Sequence, residues 1–287
     1  GLFVKLCVIG GAGARSAFLT KSLVKSTRDI RVDHIVLLDN DQQKLKTYGE
    51  ISRELSRRLD PDLTFEVTSD ARAALTGVDY IITTIRAGGD AGRLFDEQTC
   101  LAHGVLGQET TGAGGFAMAI RSVPTLVYYC TLAREVANPG HLIFNFTNPS
   151  GIITQALRSK GFDNVYGICD APSGFIKQLE EILEIPYGTL DIECYGLNHL
   201  SWFRNAKVNG RDVQRELLDN PRTYEHSEMR LFTREMARIS GDCMLNEYLY
   251  FYYRRVKSLS MIQKADHPRG EMIYLINREL EEQLARL

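Results

Sequence analysis

The chain has 287 residues, 44% of them hydrophobic and 24% charged, with a net charge of -2. That balance supplies apolar surface for one large or two ordinary domain cores, and it excludes the basic footprint of a nucleic-acid or membrane-surface binder. Six cysteines (Cys7, Cys100, Cys130, Cys169, Cys194, Cys243) are scattered, mostly in apolar runs, so free thiols in the cytoplasm are expected rather than a disulfide framework.

The chain opens on Gly1 rather than methionine, and no signal-peptide pattern follows. Leu2 to Gly10 is an apolar run that reads as a buried strand. It leads into Gly10-Gly11-Ala12-Gly13-Ala14-Arg15 and a helix from Ser16 to Thr27. Strand, glycine turn and helix is the order of a dinucleotide site: glycines admit a pyrophosphate close to the backbone, and the helix start offers it N–H groups. Arg15 stands where the third glycine of the usual pattern falls, so Gly10, Gly11, Gly13 and Ala14 match it imperfectly. The next strand, His34 to Leu38, is followed by Asp39, 26 residues after Gly13. An acid there accepts from ribose hydroxyls and favours NAD over NADP, with a helix cap as the plainer alternative.

Asp41 to Leu59 reads as a helix, Thr64 to Thr68 as a strand, Asp70 to Leu75 as a helix and Asp79 to Ile85 as a buried strand. This alternation predicts a doubly wound parallel sheet, an α/β fold. Arg86 and Arg93 follow, placed to fork onto a phosphate or carboxylate, or simply to pair on the surface. A glycine-rich loop from Gly104 precedes a helix from Phe116 to Ala137, then a strand from His141 to Phe146 and the turn Thr147-Asn-Pro-Ser-Gly151. Asn148, before a proline, is held extended with its amide available to a ligand. No run near the ~20 apolar residues of a bilayer span is read, so no membrane partner is expected.

A strand from Val165 delivers Cys169 and Asp170, and thirty residues later comes Gly196-Leu-Asn-His199. Cys169 and His199 can share one metal ion with Asp170 at its edge; a buried thiol and a satisfied histidine is the alternative. Beyond Ile185 the pattern changes to antiparallel strands, Leu190 to Tyr195 and Phe203 to Val208, with a hairpin turn at Asn209-Gly210. Helices follow, including Ser227 to Ile239, and then the aromatic run Tyr248-Leu-Tyr-Phe-Tyr-Tyr253. The expected division is a nucleotide-binding domain over 1–185 and a mixed α/β substrate and metal domain over 186–287, with both chain ends incomplete.

Laid out together, these motifs resemble the NAD- and manganese-dependent family 4 glycoside hydrolases. Gly107-Gln-Glu-Thr-Thr-Gly112, Asn145 to Gly151, Cys169 to Gly174 and Gly196 to Trp202 carry the likeness over nearly the whole chain. The resemblance implies a Rossmann-like fold related to lactate and malate dehydrogenases, and a phosphorylated glycoside as substrate. It implies Cys169 and His199 as Mn²⁺ ligands, Arg93, Asn148 and Arg269 as sugar or phosphate contacts, Tyr248 as catalytic base, and Asp170 as a proton donor. Tyr248 is preferred to Tyr250 as the first tyrosine of its run. The implied chemistry departs from the usual two-carboxylate glycosidase: NAD⁺ oxidises C3, the C2 proton becomes acidic and is removed, the aglycone is eliminated, water adds, and the hydride returns. Asp170 leans towards α-glycosides and the Gln-Glu-Thr-Thr wording towards β, so the anomer stays open. The resemblance also suggests a homodimer or homotetramer. The competing readings are a 2-hydroxy-acid dehydrogenase and a non-catalytic sugar-phosphate binder.

Overall fold

Aliphatic runs such as Leu6-Cys7-Val8-Ile9 can be buried on both faces at once, which favours a parallel sheet covered by helices. In the computed structural model, which describes residues 3–264, 269–284 and 286, six strands pair in this way. β1 (Lys5–Ile9), β2 (His34–Leu38), β3 (Thr64–Thr68), β4 (Tyr80–Thr83), β5 (Leu142–Asn145) and β6 (Val165–Gly167) form a parallel sheet ordered β3-β2-β1-β4-β5-β6. This is the doubly wound fold expected from the sequence. Side-chain alternation sends Leu6, Val8, Ile35 and Leu37 into one apolar cluster with Val24. It sends Cys7, Ile9, Val36 and Leu38 into another with Ile81, Leu126 and Ile143.

One helix, Gly112–Val136, does have the length and hydropathy to cross a membrane, against the expectation that no run would. Its Leu126, Cys130 and Ala133 are buried with the sheet residues Cys7 and Ile143, which accounts for its apolar composition. It begins four residues before the expected Phe116, at Gly112, where Gly114 and Gly115 pack so closely on Gln108 and Thr110 that a Cβ would come within 2.7 Å of their backbone.

The chain divides into two compact units. The first holds the chain up to Cys100, Gly107–Ile168 and the last helix, Arg269–Leu284; the second holds Leu101–Leu106 and the chain from Cys169 onward to that helix. The division after Ile168 precedes the expected boundary at residue 185. The physical reason is the helix Ala171–Ile182, whose Phe175, Leu179 and Ile182 are buried in the core of the second unit.

In the second unit β7 (Leu190–Leu197) and β8 (Leu200–Val208) form an antiparallel hairpin; β8 also pairs with β9 (Arg211–Asp212) and β10 (Met244–Leu245). The register Leu197↔Leu200 puts the tight turn at Asn198-His199. Asn209-Gly210 makes the expected hairpin turn, joining β8 to β9; both residues have positive φ, +49° and +80°, as a two-residue turn requires. Phe175 and Phe203 meet edge to face at 4.9 Å in the core. The helix expected from Ser227 to Ile239 is interrupted: a 3-10 turn, Glu228–Leu231, ends where Phe232 is buried, and a new helix, Arg234–Ile239, starts behind Thr233. The Thr233 hydroxyl accepts from Met236 N at 3.3 Å and so favours a fresh helix start over continuation.

Candidate functional site

At the end of β1, Gly10 takes φ +82°, and a Cβ there would lie 2.8 Å from Ile85. Gly10 N and Gly11 N both donate to Leu38 O, at 2.8 and 3.0 Å. Ser16 ties the turn together, its Oγ donating to Gly11 O at 2.5 Å and accepting from Gly13 N at 2.6 Å. A Cβ on Gly13 would meet open space, so this glycine answers to no packing demand within the unit. Asp39 Oδ2 accepts from Ala12 N at 3.2 Å and Oδ1 from Asp41 N at 3.0 Å, and burial pushes its carboxyl up. Asp39 thus braces the glycine turn, while the helix cap considered for it falls to Asp41, which accepts from Lys44 N at 3.0 Å. Ala14 packs in the small cluster of Ala12, Leu45 and Tyr48.

Arg93 is buried at 7% exposure, on the helix Gly89–Ala102. Its Nε donates to Glu97 at 3.0 Å and its Nη1 lies 3.1 Å from Glu109 Oε2. Glu109 Oε1 takes Arg86 Nε at 3.0 Å, and Arg86 also pairs with Asp90, which accepts from Asn277 Nδ2 at 2.7 Å. The two arginines therefore share one carboxylate. Sequence reasoning flagged Gln108-Glu-Thr-Thr as a motif but missed the bridging part of Glu109; the i,i+4 spacings announce only the Arg86–Asp90 and Arg93–Glu97 pairs, and no local spacing announces Glu109. Asn148 is half-buried in the turn after β5. Arg269 opens the last helix, but its side chain lies outside the described residues.

The second unit brings three of the expected residues together. Cys169 Sγ lies 3.9 Å from His199 Nε2. The Tyr248 ring stacks on the His199 ring with centroids 4.0 Å apart and planes 9° from parallel. Local backbone explains each position: Cys169 precedes the helix Ala171–Ile182, and His199 stands at the tip of the β7–β8 hairpin with φ +61°. Tyr248 N donates to Asn246 Oδ1 at 3.1 Å, fixing the turn after β10. Asp170 is exposed at the start of the same helix as Cys169 and caps it with no side-chain bond. Tyr250, the alternative to Tyr248, is buried against Phe232 at 5.9 Å and belongs to the core.

Metal–sulfur bonds of ~2.3 Å and metal–nitrogen bonds of ~2.1 Å sum to more than the thiol–imidazole gap, so one ion fits between Cys169 and His199. Among the described residues no group of three His, Cys, Asp or Glu side chains is placed to hold a metal. A metal on this pair would take its other ligands from water or substrate oxygens. Beside His199 a pocket of about 150 Å³ is lined by Tyr195, Asn198, Ser201, Cys194, Asn246 and Pro172.

A parallel sheet in this order with a glycine turn after β1 defines the doubly wound, dinucleotide-binding class, and the Cys169–His199 pair adds a two-donor centre of a kind that class does not require. The chain belongs to family 4 of the glycosyl hydrolases: the family description matches residues 5–185, and that of its C-terminal domain matches 194–286. A 6-phospho-beta-glucosidase of Thermotoga maritima is 35% identical over 219 residues, 76% of this chain and 51% of that protein. A phospho-alpha-glucosidase of Clostridium acetobutylicum is 30% identical over 267 residues, 86% of this chain and 59% of that one. The Thermotoga maritima 6-phospho-beta glucosidase solved with manganese, NAD+ and glucose-6-phosphate superposes with a TM-score of 0.86 at 29% identity, covering 98% of this chain and 67% of that one. Lactate dehydrogenase of Eimeria maxima shares the fold, with a TM-score of 0.56 at 14% identity over 91% of this chain and 75% of its own. The chain spans about half to two thirds of the length of the curated relatives.

Proposed function

We propose that this chain hydrolyses 6-phosphoglucosides by an oxidation–elimination route that uses NAD⁺ and a divalent metal. The observation that carries the reading is the stack of Tyr248 on His199, itself 3.9 Å from Cys169. Relatives whose names specify phospho-alpha- and phospho-beta-glucosidases, and one solved with manganese, NAD+ and glucose-6-phosphate, support the substrate and the cofactors.

In this reading Gly10, Gly11, Gly13 and Ala14 would receive the pyrophosphate and Asp39 would accept from the ribose. Cys169 and His199 would hold the metal, for which we take manganese. When bound, NAD⁺ supplies a hydride acceptor for C3 of the sugar and the metal supplies Lewis acidity at the sugar's C2 and C3 oxygens. Tyr248 removes the C2 proton, and a cation beside it favours the phenolate required of a base. Asp170, next to Cys169 in the chain, delivers a proton to the departing aglycone oxygen. Asn148 and Arg93 orient the sugar and its phosphate, with Glu109 holding the Arg93 guanidinium in place; Arg269 is assigned to the phosphate on the motif alone. The six free cysteines suit a reducing compartment, and the cytoplasm is the proposed location. A homodimer or homotetramer is the proposed assembly.

The test is nitrophenol release from the α- and β-nitrophenyl 6-phosphoglucosides under reducing conditions, with NAD⁺ and Mn²⁺ each present or omitted. Release of one anomer's product that requires both additives is the expected result and identifies the anomer. Release that needs neither, or net accumulation of NADH, overturns the reading.

A further inference from the structure

Glu228 is a buried carboxylate outside the residues named so far, 8% exposed in the 3-10 turn Glu228–Leu231. Its Oε2 accepts from Glu247 N at 3.0 Å and from Asn246 Nδ2 at 3.3 Å. Its own backbone N–H donates to Gln178 Oε1 at 2.9 Å, which ties the turn to the helix Ala171–Ile182. Asn246 is 1% exposed and uses its other amide atom, Oδ1, to accept from Tyr248 N. A backbone N–H can only donate, so Oδ1 must face Tyr248 and Nδ2 must face Glu228. Asn246 N donates in turn to Ser201 O at 3.1 Å, on the strand that leaves the His199 turn. One carboxylate thus holds residues 246, 247 and 248, directly or through one amide, and this is the segment that lays Tyr248 over His199.

We propose that Glu228 is a positioning residue for Tyr248: its carboxylate, acting through Asn246 and the Glu247 amide, fixes the turn that presents the phenol. The inference rests on the assignment of Tyr248 as base for its catalytic consequence, but not for its structural one. Burial pushes the Glu228 carboxyl up to about 7, opposed first by the hydrogen bond from the Glu247 amide; the Glu247 carboxylate adds to the rise, and Arg230, paired with it at 2.9 Å, opposes it. Cys194 is the further titratable neighbour, from β7. An ionised carboxylate is the stronger acceptor, so the strap tightens as pH rises through about 7 and slackens below it.

The experiment pairs hydrogen exchange with steady-state kinetics on the full chain. Glu228→Ala is expected to raise exchange at the Glu247 and Tyr248 amides more than about tenfold while leaving the parallel sheet protected. With NAD⁺, Mn²⁺ and the nitrophenyl 6-phosphoglucoside, it is expected to lower kcat by about 10- to 100-fold with KM changed less than about twofold, since misplacing a reacting group costs rate more than binding. Glu228→Gln is a neutral acceptor at every pH, as the protonated acid is, so its exchange at the Glu247 and Tyr248 amides should lie between wild type and Glu228→Ala, and the fall in kcat between pH 8 and 6 should be lost. Unchanged exchange in Glu228→Ala, or an unaltered pH profile in Glu228→Gln, overturns the proposal. Should Glu228→Ala fail to fold, Asn246→Ala gives the same exchange readout at Tyr248. Absence of wild-type turnover refutes the glycosidase reading alone, because the exchange result still decides this one.

Discussion

His199 adopts φ +61° at a hairpin tip, where a side chain other than glycine, asparagine or aspartate is strained by about 1–2 kcal/mol. Strain retained at such a point goes with a task for the side chain itself. Replacing His199 with asparagine, which tolerates this backbone, should leave the melting temperature within a few degrees of wild type while weakening Mn²⁺ binding more than about tenfold. Cys169→Ser should weaken it similarly, and titration of Mn²⁺ followed by electron paramagnetic resonance reads both. Unchanged affinity in either variant would remove that residue from the ligand set. Cys169 and His199 stood out in the sequence as a thiol beside an acid and a histidine in a small polar cluster, whereas Tyr248 entered through the family resemblance, because its aromatic run alone reads as core. Glu228 was not legible, since an acid after Ser227 at a helical start looks like ordinary first-turn chemistry. Its importance comes from contacts to residues 246 and 247, which no local pattern announces.

At the scale of elements, the parallel strands were readable because burial on both faces demands unbroken aliphatic runs, and β1 and β2 supply them. The turn at Asn209-Gly210 was readable because that dipeptide favours positive φ at both positions, while the turn at Asn198-His199 was not, since its glycine stands at Gly196, two residues early. Gly196 takes φ +116°, and a Cβ on it would come 2.3 Å from Leu200 O, so the glycine serves close strand approach and not the turn itself. The nucleotide turn allows a sharper contrast. Gly10→Ala forces both positive φ and a clash with Ile85, and should cost more than about 2 kcal/mol in denaturant unfolding. Gly13→Ala meets no atom within 4 Å, so stability should change by less than about 0.5 kcal/mol while NAD⁺ affinity falls. Equal destabilisation by both would mean that Gly13 has a packing role after all.

At the scale of the whole molecule, each unit has a core of its own, centred on Ile9, Ile81 and Ile143 in the first and on Phe175 and Phe203 in the second. The alternation of strand and helix up to Ile168 makes the fold legible; where the second core begins is not, because Ala171–Ile182 has the same amphipathic character as the helices before it. The last helix was legible as a helix but not as a return: Leu280 and Leu284 pack against Ala12, Leu45 and Tyr48, behind the nucleotide turn, and Asn277 bonds Asp90. Burial pushes the Tyr48 phenol up to about 12, with Glu281 and Asp90 adding to the rise. Truncation before Arg269 should therefore lower NAD⁺ affinity and the melting temperature of the first unit together, as calorimetry with and without NAD⁺ would show. A truncated chain that kept both would place the helix outside the stability of the nucleotide turn.

That return has a consequence for the order of events in synthesis. The glycine turn leaves a ribosome well before the helix that completes its packing. Until that helix emerges, Ala12, Leu45 and Tyr48 lack the leucines that cover them in the folded unit. A nascent chain carries the glycine turn and Asp39 before it carries their backing, so nucleotide affinity should rise only once Leu280 and Leu284 have been made.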